Sequence, residues 1–157
     1  MDPVSESRLG EVHPKLAEKV RSMAELLAGE NIEIRVVQGL RSWAEQAALY
    51  AQGRTAPGKV VTNAKPGTSW HNFGLAVDVA PFDSGIPDWN SSHPSWKRIV
   101  AVGESVGLVS GSQWRTFPDW PHFQLVGQLP VSPDDSVRAE YQTGGIDAVW
   151  TSTLLDS

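Results

Sequence analysis

Residues 69–78 read SWHNFGLAVD, and few architectures tolerate such a stretch. GLAVDVA, 74 to 80, has the small and β-branched character of a strand. Yet it carries Asp78 in its middle and His71 at its mouth, residue types that buried strands usually avoid. Alternate residues of a strand share a face. Leu75, Val77 and Val79 point one way, toward a core. Ala76, Asp78 and Ala80 point the other way, so Asp78 stands between two methyl-sized side chains. That leaves space above the sheet for a carboxylate to reach a metal, and Gly74 lets the chain turn between His71 and the strand.

The rest of the chain supplies a frame of mixed type. Pro14 and Gly29 bound a helix over 14–28, with Leu16, Val20, Met23 and Leu27 on one face. IEIRVVQ, 32 to 38, is a strand. Ser42 and Glu45 make a capping box that opens a helix through Ala47, Ala48 and Leu49. Residues 53–70 hold three glycines and two prolines and form a long loop, as do residues 81–93. Pro94 opens a helix with Trp96, Ile99, Val100 and Gly103 on its apolar face. A short strand then leads to DWPHFQLVG, 119 to 127, the third clear strand. Ser132 and Pro133 cap a further helix, and a last helical segment carries Ile146, Val149 and Trp150. No regular βαβ alternation appears, so the class is α+β, a small antiparallel sheet with helices packed on one side. The length of 157 residues suits one domain over 1–157, with a core at 9–127 and a helical segment at 128–157.

Composition removes several functions. The chain has no cysteine, which excludes disulfides, thiolate metal sites and cysteine nucleophiles. The net charge of −5 with no basic tract speaks against nucleic acid. No apolar run reaches the ~18 residues of a membrane span, and the first residues lack the pattern of a signal peptide. Trp70, Trp89, Trp114 and Trp120 lie near glycines or prolines, as in packed loops. The basic loop residues Arg54, Lys59 and Lys65 meet either solvent or an anionic ligand.

In DWPHFQL, His122 and Gln124 share one face and Phe123 and Leu125 the other. Asp119 lies at the bend that Trp120-Pro121 makes. If this strand neighbours 74–80, then His71, Asp78 and His122 converge. Two imidazoles and one carboxylate, with a fourth position open, make a catalytic zinc arrangement. Asp119 is placed as a base, close to His122 yet distinct from it. On spacing alone other readings stay open: four histidines offer several triples, and Asp119 can simply start a turn. His13 and His93 each precede a proline at a helix start and read as structural.

Ser69-x-His71-x-x-Gly74-x-Ala76-x-Asp78 resembles the S-x-H-x-x-G-x-A-x-D signature of the D-Ala-D-Ala-type zinc peptidases, whose fold is the hedgehog/DD-peptidase type. Asp119-x-x-His122 resembles the second motif in the Asp form of the L-alanyl-D-glutamate peptidases of phage endolysins and bacterial autolysins. Arg41-Ser42 and Gln46 in GLRSWAEQAALY, and VHPKL at 12–16, extend the likeness over most of residues 9–127.

The resemblance implies Zn2+ held by His71, Asp78 and His122, with Asp119 as general base. Arg41 would stabilise an oxyanion or hold a substrate carboxylate. An ordinary ion pair is its plainer role, though a cation before a helix N-terminus runs against the dipole. Ser69 and Gln46 would serve at the substrate side, Gln46 also as a brace for Arg41. The implied substrate is the peptidoglycan stem peptide, cut at L-Ala-D-Glu by a monomer. That monomer would be made in the cytoplasm and reach the wall through a holin-type pore or export. The alternatives are a D-Ala-D-Ala carboxypeptidase, and a zinc-containing binding domain of the same fold that does no catalysis.

Overall fold

The computed structural model of the protein describes residues 1–125 and 132–153. Val126 and Gly127, expected to end the third strand, lie outside them. So do 128–131 and 154–157 of the expected C-terminal segment.

The elements run α1 (Pro3–Leu9), α2 (Pro14–Ala28), β1 (Glu33–Gln38), α3 (Trp43–Ala51), a 3-10 helix (Trp70–Phe73), β2 (Ala76–Asp83), β3 (Ile86–Pro87), α4 (Pro94–Ser105), β4 (Leu108–Gly111), β5 (Asp119–Leu125) and α5 (Asp135–Thr153). The sheet order is β1-β2-β5-β4, with β3 against the end of β2, and every pairing is antiparallel. This is the expected α+β class.

Local chemistry sets the helix starts. The His13 and His93 rings act as N-caps, each accepting through Nδ1 from a backbone N–H, of Lys15 at 3.0 Å and of Ser95 at 3.2 Å. Both are thus structural at a His-Pro helix start, as expected. Ser42 and Glu45 form the reciprocal capping box. The C-terminal helix begins later than Ser132-Pro133 suggests. Asp134 accepts from the Val137 N–H and caps it, because an Asx side chain three residues ahead meets the orphan N–H. Gly145, at φ 72°, kinks that helix.

Two elements depart from expectation. Residues 81–87 are not loop: β2 continues to Asp83 and turns back into β3. The turn residues Ser84 and Gly85 sit at φ 52° and 80°, the backbone of a two-residue hairpin. The helix α1 was not expected at all. It protects the open edge of β1, where the Val36 N–H donates to Ser5 Oγ at 2.8 Å and the Val36 carbonyl accepts from Arg8 at 2.7 Å. Edge groups satisfied in this way do not recruit another chain. Trp89, expected in a packed loop, is 55% exposed, whereas Trp70 is buried.

One face of the sheet carries Ile34, Val36, Val77, Val79 and Phe123, all buried, beneath α2 and α4. The closest approach is at Gly103 of α4, where an added Cβ would lie 2.4 Å from Phe123 Cε1. Gly103→Val is therefore expected to destabilise the fold by about 1–3 kcal/mol through overpacking. The measurement is a lower urea midpoint at unchanged slope; an unmoved midpoint would show that α4 can shift away from β5.

Candidate metal centre

The opposite face holds the polar residues. In the β2–β5 register Asp78 pairs with His122 and Val77 with Phe123. Directly paired residues share a face, so Asp78 and His122 stand together while their neighbours enter the core. His71 arrives from the 3-10 helix. Ser69 caps that helix, accepting from the His71 N–H at 3.2 Å, and Gly74 at φ 66° turns the chain into β2. Against β4, Gly111 pairs with Asp119 and Ser110 with Phe123, so Trp120, Pro121 and His122 form a bulge. Bulges re-aim side chains, and this one puts Asp119 and His122 on the same cleft. It closes over Gly111, where a Cβ would lie 2.7 Å from the Asp119 carbonyl oxygen.

His71 Nε2 lies 3.1 Å and His122 Nδ1 3.7 Å from Asp78 Oδ1, and the three donor atoms fall within 4.8 Å of one another. Each imidazole is held through its other nitrogen. His71 Nδ1 is 2.9 Å from the Gly39 carbonyl, an acceptor, so Nδ1 carries the proton and Nε2 presents its lone pair. His122 Nε2 is 2.8 Å from Gln124 Oε1, so this ring carries its proton on Nε2 and presents Nδ1. Burial, reinforced by nearby His71, lowers the His122 pKa to about 4, which keeps the ring neutral near pH 7. For Asp78, burial opposes ionisation, but His71, His122 and Arg41 outweigh it and hold the carboxyl well below the usual range. Two imidazole nitrogens and one carboxylate, with hydrogen-bonded second partners, fit a divalent metal ion.

Arg41 stands beside this group, with Nη2 3.6 Å from Asp78 Oδ2. Its Nη1 donates to Gln46 Oε1 at 2.8 Å, and its Nε, buried, has no hydrogen-bond partner. Gln46 is fully buried and also donates to the Ala64 carbonyl at 2.8 Å. It braces Arg41 from behind and does not line the cleft, so the substrate contact expected of it is not where the structure puts it. Asp119 lines the cleft together with Arg41, Ser69, His71, Asp78 and His122. Burial, and then the charge of Asp78, raise its pKa to about 6.

Three contributors carry little sequence signal. Asn72 accepts from the Gly67 N–H at 3.0 Å and donates to the Arg41 carbonyl at 3.1 Å, tying the long loop to the start of α3. Gln124 was visible only as a residue on the His122 face. The Trp114 ring lies 4.7 Å from that of His122, and only the fold brings it there. In the long loop, Arg54 donates to the Tyr50 and Thr62 carbonyls and covers the Tyr50 ring at 3.9 Å. It is committed to its own loop rather than offered to a ligand. The cleft, of about 500 Å³, is instead lined there by Val61, Thr62, Asn63, Ala64 and Thr68.

The sequence profile of the VanY family, D-alanyl-D-alanine carboxypeptidase, matches residues 10–113. The chain belongs to the VanY family. The match contains Arg41, His71 and Asp78 but ends before Asp119 and His122, so within this VanY chain it is the strand register that brings the last two to the site. Among relatives, the peptidoglycan L-alanyl-D-glutamate endopeptidase CwlK of Bacillus subtilis (strain 168) is 32% identical over 124 residues, 74% of each chain. The L-alanyl-D-glutamate peptidase of Escherichia phage T5 is 31% identical over 150 residues, 92% of this chain and 94% of that one. Among solved structures, the Serratia marcescens L-Ala D-Glu endopeptidase ChiX superposes with a TM-score of 0.60 at 26% identity, covering 80% of this chain and 89% of that chain.

The Gln124 contact makes a direct prediction for this VanY protein. Gln124→Leu is expected to weaken metal binding by about 10–100-fold, read by competition with a chromophoric chelator, while Gln124→Glu keeps an acceptor and binds near wild type. Equal affinity in the Leu variant would mean that the His122 tautomer is set by something else.

Proposed function

We propose that the chain is a zinc peptidase that hydrolyses the L-Ala-D-Glu bond of peptidoglycan stem peptides. The observation that carries this reading is the convergence of His71, Asp78 and His122 in a cleft also lined by Asp119 and Arg41. The named activities of CwlK, the phage T5 peptidase and ChiX support the choice of bond. Zinc suits two imidazoles and a carboxylate better than magnesium or calcium, which prefer all-oxygen shells.

His71 through Nε2, His122 through Nδ1 and Asp78 would hold the ion. Bound zinc supplies positive charge that polarises a carbonyl and acidifies water toward a pKa of about 7. Asp119 is the general base: it takes the proton of the attacking water and returns it to the leaving amine. Its raised pKa suits an exchange in both directions near neutrality. Arg41 faces negative charge on the substrate. Gln46 fixes one end of its guanidinium through Nη1, and Nη2, 3.6 Å from Asp78 Oδ2, is the nitrogen on the side of the reacting bond. Ser69 holds the turn that presents His71, which leaves Asp119 and Arg41 as the groups that meet the reacting bond.

The runner-up is a D-Ala-D-Ala carboxypeptidase, favoured by the description of the family profile. The non-enzyme alternative, a metal-holding binding domain, has no evident need of Asp119 or of Arg41 beside the three donor residues. No described helix is long and apolar enough to cross a membrane, and we read the site of action as the cell wall, reached through a pore or by export.

The test is a digest of purified peptidoglycan with the zinc-loaded protein, its products identified by mass spectrometry beside a chelated control. New amino termini on D-Glu, lost with the chelator, are expected. Release of D-Ala alone would move the assignment to the carboxypeptidase, and no cleavage with zinc bound would move it to the binding domain. Asp119→Ala is expected to keep zinc but lose about 10²–10⁴-fold in turnover, whereas His122→Ala loses the metal. Near-wild-type turnover in Asp119→Ala would remove it from the base role.

A further inference from the structure

We infer that the loop between β4 and β5 carries a subsite for the glycan end of the substrate, and that Phe117 selects stem peptides still joined to their sugar. This rests on the peptidase reading above. The loop spans residues 112–118 and forms one wall of the cleft through Trp114 and Phe117. Trp114 is half-buried against the ring of His122. Phe117, three residues on, is 38% exposed and presents apolar surface at the cleft.

The sheet order gives the cleft a direction. Arg41 follows β1 at one end of the order β1-β2-β5-β4, and the aromatic loop joins β4 and β5 at the other. The substrate has a matching polarity. On the D-Glu side of the scissile bond lies a free carboxylate, which Arg41 complements. On the L-Ala side lies a lactyl-linked pyranose, uncharged at the ring. One residue spans about 3.5 Å, so the sugar begins roughly 7 Å from the scissile carbonyl. Trp114 lies against the ring of His122, and Phe117, three residues further along the same wall, is the exposed aromatic group left to meet a sugar at that distance. A pyranose has an apolar C–H face and a polar rim. An aromatic ring that is half covered and half open to water suits such a partner, because the hydroxyls keep their solvent.

The test compares kcat/KM for two soluble substrates: a disaccharide-linked stem peptide, and the same stem released from sugar and N-acetylated, so that neither has a charged amine on L-Ala. The wild type is expected to favour the glycan-linked form by about tenfold, equivalent to ~1.4 kcal/mol. The ratio should collapse toward one in Phe117→Ala and return in Phe117→Tyr. No preference in the wild type, or a preference that survives in Phe117→Ala, would overturn the subsite while leaving the peptidase reading in place. If the zinc-loaded wild type cuts neither substrate, the peptidase reading fails and the subsite fails with it.

Discussion

The site depends first on one strand pairing, Asp78 opposite His122. Side chains alternate along a strand, so a slip of one residue would send His122 into the core and bring Phe123 to the cleft. The core prevents that slip. Phe123 is fully buried and lies directly beneath Gly103 of α4, a fit that no polar ring could share. The packing of α4 on one face thus fixes which residues reach the candidate metal site on the other. Specificity of register and position of ligands are the same physical fact here.

Register alone places the rings but does not choose the donor atom. That choice comes from two acceptors, the Gly39 carbonyl for His71 and the Gln124 amide oxygen for His122. They expose different nitrogens, Nε2 on one ring and Nδ1 on the other, toward a common carboxylate. A buried imidazole without such a partner would carry the cost of an unsatisfied donor. Asn72 extends the same economy outward. Its one side chain links Gly67, ahead of the 3-10 helix, to the Arg41 carbonyl, and the Arg41 N–H donates to the His71 carbonyl at 2.9 Å. The candidate ligand His71 and the cation Arg41 are therefore tied to each other through their backbones.

What was legible in the sequence was what local chemistry decides. The strand 74–80 was placed to within a few residues, its faces followed from period two, and the His-Pro and Ser-x-x-Glu helix starts did what their donors and acceptors require. The bend at Trp120-Pro121 was readable because proline cannot join a regular ladder. The misses share a different cause. The helix α1 is only seven residues long, and the value of Ser5 and Arg8 lies in a strand some thirty residues away. The β2–β3 hairpin hides because β3 is two residues ending in proline. Gln46 read both as a brace for Arg41, which it is, and as a substrate contact, because nothing local says that it is the buried residue of α3. Arg54 read as a free cation because its partners lie across its own loop. Each miss is a pairing of specific groups, near or far in the chain, that no periodicity encodes.

The two aspartates of the cleft show how one residue type is given two chemistries. Both are removed from water, which alone would raise both pKa values. Asp78 lies against His71, His122 and Arg41, and these pull its carboxyl down until it stays charged. Asp119 receives less of that compensation and also feels the charge of Asp78, so it is pushed up to about 6. The ionised group is the one among the donor atoms, and the group near its titration point is the one beside them. In the peptidase reading proposed above Asp78 is a metal ligand, which must not exchange protons during turnover, and Asp119 is the general base, which must. The separation arises from which carboxylate the bulge and the register place next to the imidazoles. Exchanging the environments would leave the composition of the site unchanged and remove its chemistry.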